Sequence, residues 1–335
     1  MAIKRTVTMR KEDLRIVFMG TPEFAVATLR ALVENGCNVV AVVTQPDRPV
    51  GRHGSVTQPS PVKTFALQHG IPVLQPEKMK DVTFADSLRS YDADLQVVVA
   101  FRMLPESVWS MPRFGTFNVH ASLLPQYRGA APINWAVING ETTTGITTFF
   151  IDTDIDTGRV IMQVPYVIGD DCNAGDVHDG LMKAGADACL KTLDIIAAAD
   201  GHPQSIPQDK LPAGGTTLHA APKIFKDTCR INWHQPAKKI YDFIRGLSPT
   251  PGAWTTLVSD TPDGKATTMK LFAATKTDIK TAKAPGTIVV ERRELFIAAE
   301  DNLLRIDSLQ CAGKRQMSAN DFLNGAARLS ICRME

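Results

Sequence analysis

The stretch LRIVFMGTP, residues 14–22, decides the fold class of this 335-residue chain. It opens with an apolar run that is rich in β-branched residues and ends at Gly20. Thr21 and Pro22 then supply an N-cap and a first-turn residue for a helix that continues to Glu34. Because a buried strand that passes directly into a helix is the opening of a βαβ unit, this stretch predicts an α/β fold.

The rest of the first half repeats this alternation of strands and helices. Residues 38–44 form a continuous apolar run, of the kind that is buried on both faces of a parallel sheet. A loop with Pro, Gly and Arg is predicted over 45–59, helices over 60–70 and 81–90, and strands over 71–74 and 95–100. We therefore predict a doubly wound, mostly parallel, Rossmann-like sheet.

After Gly115 the predicted strands lose their long intervening helices. Strands are predicted over 116–120, 145–151 and 160–168, and this close spacing suits antiparallel strands added to the sheet. A long amphipathic helix follows over 174–199. The segment 200–215 is rich in Pro, Gly, Gln and Asp, which is typical of a linker between domains.

The chain beyond this linker predicts a second, smaller domain. One helix is predicted near 237–247, and short alternating strands over 254–258, 268–273, 286–290, 295–298 and 302–306. Such a series of short strands favours a small OB-like β-barrel. The expected organisation is an N-terminal extension at 1–13, a catalytic domain at 14–199, the linker at 200–215 and a C-terminal barrel at 216–335.

Composition and cysteine usage exclude several classes of protein. With 44% hydrophobic and 21% charged residues, the chain can bury sizeable cores and is not an intrinsically disordered protein. No run of about 18 apolar residues predicts a membrane-spanning helix, and residues 1–13 lack the apolar stretch of a secretory signal. The six cysteines include no CxxC pair, which favours free thiols in a reducing cytoplasm.

The formal net charge of +2 conceals an asymmetry between the two parts of the chain. Residues 206–335 hold 19 Lys and Arg against 13 Asp and Glu, a net charge of +6. Residues 1–205 hold 18 against 22, a net charge of −4. This division indicates either a polyanionic partner for the C-terminal part or an uneven scatter of solvated charges.

Nucleotide-binding motifs are missing from the sequence. The first strand–helix turn has one glycine where the dinucleotide fingerprint GxGxxG needs three, so a nicotinamide cofactor is disfavoured. No GxxxxGK[ST] phosphate loop is present either, which argues against nucleotide hydrolysis.

The densest group of polar residues is NVHASLLPQYRGAAP, residues 118–132. Asn118 and His120 are two positions apart, so on a strand both side chains point to the same face. An amide and an imidazole at one strand end can polarise a carbonyl and stabilise its oxyanion. The alternative is a core histidine bonded to a loop, and the companion Asn118 together with the following SLLP turn favours a site.

An acidic turn, DTDIDTG, follows at residues 152–158. Its three alternating carboxylates resemble a calcium loop, but Thr157 stands where that loop requires glycine, so no metal is expected. A carboxylate in this turn could instead accept a proton or hold an imidazolium.

Taken together, these residues resemble the methionyl-tRNA formyltransferases. The matching stretches are FMGTPEFA (18–25), TQPDRPVGR (44–52), PSPVK (59–63), VVVAF (97–101), NVHASLLPQYRGAAPI (118–133), DTG (156–158), APKI (221–224), RINW (230–233) and IRGLSPTPGAW (244–254). The resemblance therefore covers nearly the whole chain.

This resemblance implies transfer of the formyl group of 10-formyltetrahydrofolate to the α-amine of methionine on initiator methionyl-tRNA, for translation initiation. It implies a cytoplasmic enzyme that needs no metal and no membrane, and we expect a monomer. By match to the family motifs, the implied catalytic residues are Asn118, His120 and Asp156. The implied folate-binding residues are Phe101, Arg102, Met103, Leu104, Ser122, Leu123, Leu124, Pro125 and Asp152.

The resemblance also implies a set of contacts with tRNA. The implied residues are Arg48, Arg52, Lys63, Lys223, Lys226 and Arg245. Two departures from the commonest family pattern stand out: Arg102 replaces a glycine, and the loop after Arg52 continues without lysines.

Two alternatives stay open at this stage. The same donor could serve an amino sugar nucleotide or a purine ribonucleotide, but RGAAPI and the second domain speak against this. The fold could also belong to a non-catalytic RNA-binding protein, but the presence of Asn118, His120 and Asp156 speaks against that.

Overall fold

The structure is a computed structural model that describes residues 9–50, 56–211, 217–259, 266–325 and 332–335. Its strands are β1 (Ile16–Gly20), β2 (Val39–Val43), β3 (Arg48–Val50), β4 (Val56–Gln58), β5 (Val73–Leu74), β6 (Leu95–Val99), β7 (Thr116–His120), β8 (Arg128–Gly129), β9 (Thr143–Phe150), β10 (Val160–Val167), β11 (Ala220–Ala221), β12 (Ala253–Ser259), β13 (Thr267–Lys280), β14 (Ile288–Glu291), β15 (Glu294–Ala298), β16 (Asn302–Cys311), β17 (Met317–Ser318) and β18 (Cys332–Met334). Its α-helices are α1 (Glu23–Glu34), α2 (Pro61–Gln68), α3 (Val82–Arg89), α4 (Glu106–Trp109), α5 (Pro132–Ile138), α6 (Ala174–Ala198), α7 (Ala237–Gly246) and α8 (Ala319–Gly325).

The chain divides into two compact units. The first comprises the residues up to Gly129, Thr144–Tyr166 and His178–Ala220, and the second comprises Ala130–Thr143, Val167–Val177 and Ala221–Glu335. The segments 130–143 and 167–177 therefore join the C-terminal residues in the second unit.

The first unit is built on a seven-stranded sheet in the order β10-β9-β7-β6-β1-β2-β5. β1, β2, β5, β6 and β7 run parallel, and β9 pairs antiparallel with β7. All five residues of β1 and of β6 are buried, as continuous apolar strands between two helical layers require. This arrangement confirms the predicted doubly wound, mostly parallel sheet.

The second unit contains an antiparallel sheet in the order β14-β15-β16-β13-β12-β18, with β17 paired to β16. An antiparallel bridge from Thr287 to Arg333 brings β18 back to the start of β14, and Met334 N donates to Gly286 O at 2.9 Å. These bonds nearly close the sheet, which confirms the predicted small barrel. Its core includes Trp233, Ile240, Leu271 and Leu304.

Several local predictions were wrong. Thr21 does not cap α1, because Pro22 occupies the N-cap and the Thr21 hydroxyl is buried with no hydrogen-bond partner. The predicted loop 45–59 contains a hairpin in which Arg48 pairs with Gln58. β13 runs 14 residues, well beyond the predicted 268–273. Ladder pairing with β16 extends β13 in this way, which local turn signals do not reveal.

Other predictions agree with the structure. Ser60 accepts a hydrogen bond from Lys63 N at the start of α2, as the predicted cap requires. At the N-terminal extension, Lys11–Asp13 forms a short 3₁₀ turn, and Lys11 Nζ lies 2.9 Å from Asp194 Oδ1 on α6.

Candidate active site

The polar residues singled out in the sequence lie at one edge of the parallel sheet. Gly20 pairs with Val99, and Val99 with Val119, so the carboxyl ends of β1, β6 and β7 are level. β1 is also the strand at which the order reverses, because its neighbours are β2 and β6. Ligands of open α/β sheets bind outside the carboxyl ends of the strands at such a switch point.

His120 and Asp156 come together at this edge. His120 ends β7, and Asp156 lies in the turn between β9 and β10. The Nδ1 atom of His120 is 3.8 Å from Oδ2 of Asp156, and the two side chains are 7% and 14% exposed. This separation is longer than a hydrogen bond, so the carboxylate acts on the ring through its charge.

The other ring nitrogen of His120 has a fixed partner. Its Nε2 atom lies 3.0 Å from the carbonyl oxygen of Tyr127. Because a carbonyl oxygen can only accept, Nε2 carries the proton in the neutral ring. Nδ1 is therefore the basic nitrogen, and it faces Asp156.

Asp156 is held in an unusual backbone conformation. Its φ of +55° lies in the left-handed region, which costs energy for a residue with a Cβ. Its Oδ2 accepts a hydrogen bond from Gly129 N at 2.9 Å. Gly158, two residues on, lies so close to the backbone that a Cβ there would be 1.7 Å from Phe150 O. Glycine is therefore required at position 158.

The buried amide of Gln208 completes this arrangement. Its Nε2 donates to Asp156 O and to Gly158 O, both at 2.9 Å. Its Oε1 accepts from Nε and from the terminal nitrogen of Arg128, at 3.0 and 2.6 Å. The sequence did not single out Gln208, because it lies in the polar segment that resembled a linker.

Asn118 points to the same face of β7 as His120, two residues earlier. It is half-buried, and no group in the described part of the chain hydrogen-bonds its amide. An amide held on a strand with its donors unused is suited to bind a developing negative charge.

The SLLP turn after β7 is fixed by buried polar contacts. Thr147 Oγ1 donates to Ser122 O at 2.7 Å and accepts from Leu124 N at 3.0 Å. Gln163 Nε2 donates to Leu124 O at 2.8 Å, and the Leu124–Pro125 peptide is cis. Leu123 and Pro125 remain half-buried. The turn is thus a rigid wall next to His120.

The predicted folate segment follows β6. Ala100 has a φ of +47°, so the chain turns sharply at the strand end. Phe101 is half-buried, Leu104 is buried and Met103 is 70% exposed.

Arg102 turns toward a neighbouring loop. Its guanidinium donates to the carbonyl oxygens of Pro76 and Glu77, and partial burial lowers its pKa. Asp152, in the acidic turn, is exposed and accepts from Thr153 N at 2.7 Å.

The predicted tRNA-binding residues differ in how they are placed. Lys223 and Lys226 are exposed on the second unit. Arg48 is also exposed and contacts Gln45 on the first unit. Arg52 lies outside the described residues. Lys63 is paired with Asp47 at 2.6 Å.

The expectation that Arg245 is an exposed phosphate contact does not match its placement. Its side chain is 8% exposed, and its Nε lies 2.8 Å from Oδ1 of Asp242. Its terminal nitrogen donates to Cys172 O at 2.8 Å. Arg245 is therefore a buried structural cation, because the amphipathic helix α7 turns this position inward.

The described residues contain neither a membrane-spanning helix nor a metal-binding cluster. No helix among them combines the length and the apolar character needed to cross a membrane. Within the same residues, no three His, Cys, Asp or Glu side chains are grouped so as to hold a metal ion.

Comparison with known proteins places this geometry in context. A family model described as formyl transferase matches residues 14–193, and a model of the formyl transferase C-terminal domain matches residues 223–327. The methionyl-tRNA formyltransferase of Parabacteroides distasonis is 56% identical over 96% of this chain and 98% of its own length. That of Porphyromonas gingivalis is 47% identical over 98% of this chain and 100% of its own length.

Solved structures with the same fold are more distant in sequence. HypX from Aquifex aeolicus, in complex with tetrahydrofolic acid, matches with a TM-score of 0.59 and 17% identity over 92% of this chain and 47% of HypX. The sugar 3N-formyl transferase WlaRD matches with a TM-score of 0.58 and 17% identity, over 90% of this chain and 99% of that chain. These likenesses show a shared fold.

Proposed function

Because this chain belongs to the methionyl-tRNA formyltransferases, within the formyl transferase family, we propose that it formylates the α-amine of methionine on initiator methionyl-tRNA, with 10-formyltetrahydrofolate as the donor. The observation that carries this proposal is the approach of His120 Nδ1 to within 3.8 Å of Asp156 Oδ2 at the carboxyl edge of the sheet, with Asn118 on the same face of β7 as His120. We also propose that the enzyme is cytoplasmic and acts as a monomer.

The reaction sets the requirements for the site. The amine nitrogen attacks the formyl carbon, and the carbonyl oxygen becomes an oxyanion in a tetrahedral intermediate. The bond from the formyl carbon to N10 then breaks, N10 takes up a proton, and the new amide loses the proton that the amine carried. The site must therefore stabilise one oxyanion and move one proton.

Asn118 and His120 meet the first requirement. The Asn118 amide can donate to the formyl oxygen, since no described group uses its hydrogen atoms. With Nε2 committed to the carbonyl of Tyr127, His120 donates to that oxygen from a protonated Nδ1. Two donors on one strand face thus converge on the charge that develops in the transition state.

Asp156 meets the second requirement. Its carboxylate lies 3.8 Å from His120 Nδ1, close enough to interact with the ring through its charge. The same carboxylate accepts the proton from the attacking amine, through a water molecule. The bond from Gly129 N keeps the carboxylate in place for both tasks.

The folate donor belongs beside these three groups. The segment after β6 offers an apolar surface at the carboxyl edge, where Met103 is exposed, Phe101 is half-buried and Leu104 is buried. In the sequence, the SLLP turn directly follows His120, and Asp152 lies four residues before Asp156. Arg102 is proposed to stiffen this wall through the carbonyls of Pro76 and Glu77.

Exposed cations are the proposed contacts for the tRNA backbone. Lys223 and Lys226 present their ammonium groups to solvent, as does the Arg48 guanidinium, and Arg52 belongs to the same basic stretch of sequence. Such contacts position a nucleic acid through its phosphates. We leave Arg245 out of this set because it is buried.

Formylation assays with alternative acceptors test the proposal. The purified protein is incubated with 10-formyltetrahydrofolate and, in separate reactions, methionyl initiator tRNA, glycinamide ribonucleotide or an amino sugar nucleotide. We expect formylmethionyl-tRNA as the product of the first reaction. Formylation of one of the small acceptors alone would overturn the acceptor, and no turnover with any of them would overturn the activity.

A further inference from the structure

Gln208 is buried and bonded to the acidic turn of this site, although its neighbours in the sequence are typical of an exposed linker. It lies in the segment Ile206–Leu211, where Ile206 bridges antiparallel to Val160. Only 4% of Gln208 is exposed, although the segment resembles a polar linker in sequence. A buried amide must have its hydrogen-bonding groups satisfied, so its partners show what it holds.

The partners of Gln208 are all parts of the proposed active site. Both donors of its amide nitrogen go to the backbone of the acidic turn, at Asp156 and Gly158. Its oxygen accepts two hydrogen bonds from the guanidinium of Arg128. The amide therefore ties the acidic turn to the turn that follows the SLLP motif.

These bonds belong to a hydrogen-bond network around His120, which is called the circuit below. Tyr127, just before Arg128, supplies the carbonyl oxygen that binds His120 Nε2. Gly129, just after Arg128, donates to Asp156 Oδ2. Gln208 connects Arg128 back to the backbone of Asp156. The circuit fixes the imidazole and the carboxylate relative to each other, although they do not bond directly.

A second contact strengthens the same turn from a later part of the chain. Gln126 Nε2 donates to Thr217 O at 2.9 Å, and its oxygen accepts from His219 N at 2.8 Å. Tyr127 N donates to His219 O at 2.7 Å. Gln208, Thr217 and His219 therefore all contact the turn that positions His120.

We propose that Gln208 is a positioning residue for formyl transfer, which holds Asp156 in its left-handed conformation and at its distance of 3.8 Å from His120. This inference rests on the proposed function. Gln208 reaches Asp156 through the main chain and bonds no atom of Asn118 or His120, so its effect falls on the chemical step. Binding of either substrate does not depend on it.

Two substitutions separate the roles of its polar atoms. Gln208→Glu keeps the shape and the acceptor for Arg128, but it removes both donors and sets a carboxylate against two carbonyl oxygens. Gln208→Met keeps the approximate length and removes every polar atom. We expect both variants to lower kcat by about 10- to 100-fold, because small displacements of reacting groups are costly. KM for each substrate should stay within about twofold of the wild type.

A buried glutamine on a strand of the first unit provides the control. Gln96 on β6 is 1% exposed and accepts a hydrogen bond from Thr116 Oγ1 at 3.0 Å, at the opposite end of the strand pair from His120. Gln96→Met should lower the melting temperature as Gln208→Met does, with kcat of the folded protein unchanged.

The outcomes distinguish this inference from the proposed function. If the wild type formylates methionyl-tRNA and Gln208→Glu retains its full kcat, the positioning role is overturned. It is also overturned if kcat falls equally in Gln208→Met and Gln96→Met, since that result indicates a general loss of structure. Inactivity of the wild type itself contradicts the proposed function.

Discussion

Two buried aspartates, one in each unit, lie beside a side chain that carries or can take a positive charge. Asp242 Oδ1 accepts from Arg245 Nε at 2.8 Å, and their side chains are 5% and 8% exposed. Asp156 Oδ2 stands 3.8 Å from His120 Nδ1, at 14% and 7% exposure. The two pairs are similarly buried, and they differ in whether the facing atoms are bonded.

This difference separates a structural pair from a chemical one. The guanidinium of Arg245 also donates to Cys172 O, and Lys238 contacts the second oxygen of Asp242, so both oxygens of this carboxylate are paired with a cation. His120 and Asp156 are instead each fixed by backbone groups and make no bond to each other. His120 and Asp156, here called the open pair, can therefore exchange protons with a substrate. In the closed pair, Asp242 and Arg245, the loss of one partner alone destabilises the fold.

The largest expected effect comes from removing a side-chain group of the open pair, His120 and Asp156, or of the neighbouring Asn118. We expect Asn118→Ala, His120→Ala and Asp156→Asn each to lower kcat by about 100- to 1,000-fold, because each loses a charge-stabilising or proton-transferring group. Steady-state formylation of initiator methionyl-tRNA measures the effect. Circular dichroism and thermal unfolding serve as controls, since no closed ion pair is lost.

One outcome would erase the distinction between the two pairs. If Asp156→Asn kept the wild-type kcat while its melting temperature fell sharply, Asp156 would be a structural residue like Asp242. The chemistry would then depend on the strand donors alone.

The closed pair should show the opposite pattern. We expect Arg245→Met to lower the free energy of unfolding by about 3 kcal/mol, because it leaves Asp242 buried with only the partly exposed Lys238 as its partner. The kcat of the folded fraction should be unchanged. Denaturant titration and formylation assays on the same preparation measure the two quantities.

A double variant tests the reason for that loss. Asp242→Leu combined with Arg245→Met removes both charges, and replacing a buried ion pair by apolar residues is often neutral. We therefore expect the double variant to recover most of the stability. A double variant as unstable as the single one would show that packing rather than charge explains the loss.

Short local patterns and the family resemblance together single out the residues of the open pair in the sequence. Asn118 and His120 are two apart on one strand, which fixes their common face. Asp156 lies in a compact acidic turn. The doubly wound sheet could be predicted for the same reason, since apolar runs and capped helices are local signals.

The contacts that complete both pairs could not be predicted in this way. Gln208 lies 52 positions from Asp156, and nothing in its neighbours distinguishes a buried amide from an exposed one. Arg245 was assigned to tRNA from the family resemblance and the positive charge of the C-terminal part, although Asp242 lies one helical turn earlier. Pairing over long distances and the inward face of a helix depend on packing, which the sequence alone does not show.

The exposed Lys223 and Lys226 of the proposed tRNA surface can be compared with the buried Arg245 in their effect on tRNA binding. We expect Lys223→Ala and Lys226→Ala each to raise KM for methionyl-tRNA several-fold and to reduce the slope of log affinity against log salt by about 1, because each loses one phosphate contact. Arg245→Met should leave that slope unchanged. Binding assays at several salt concentrations, with the folate KM as the control, measure the effect.

The opposite result would revise the proposed surface. An unchanged slope in both lysine variants, together with a reduced slope in Arg245→Met, would mean that the helix α7 region contacts the tRNA when it binds.

The smallest expected effect concerns the ion pair of Lys63 and Asp47, whose side chains are more exposed than those of Arg245 and Asp242. Hydrogen bonds from Lys63 and then from Gln75 hold the pKa of Asp47 below its ordinary value. A lowered carboxyl pKa stabilises the fold above the ordinary pKa of about 4, and this contribution is lost as the pH falls through the lowered value. Asp47→Asn should therefore lower the melting temperature by about 1 °C at pH 7 and by less at pH 2.5. Thermal unfolding of both proteins at the two pH values measures the difference. An equal difference at the two pH values would show that the shape of this loop, rather than the charge of Asp47, supports the hairpin that follows it.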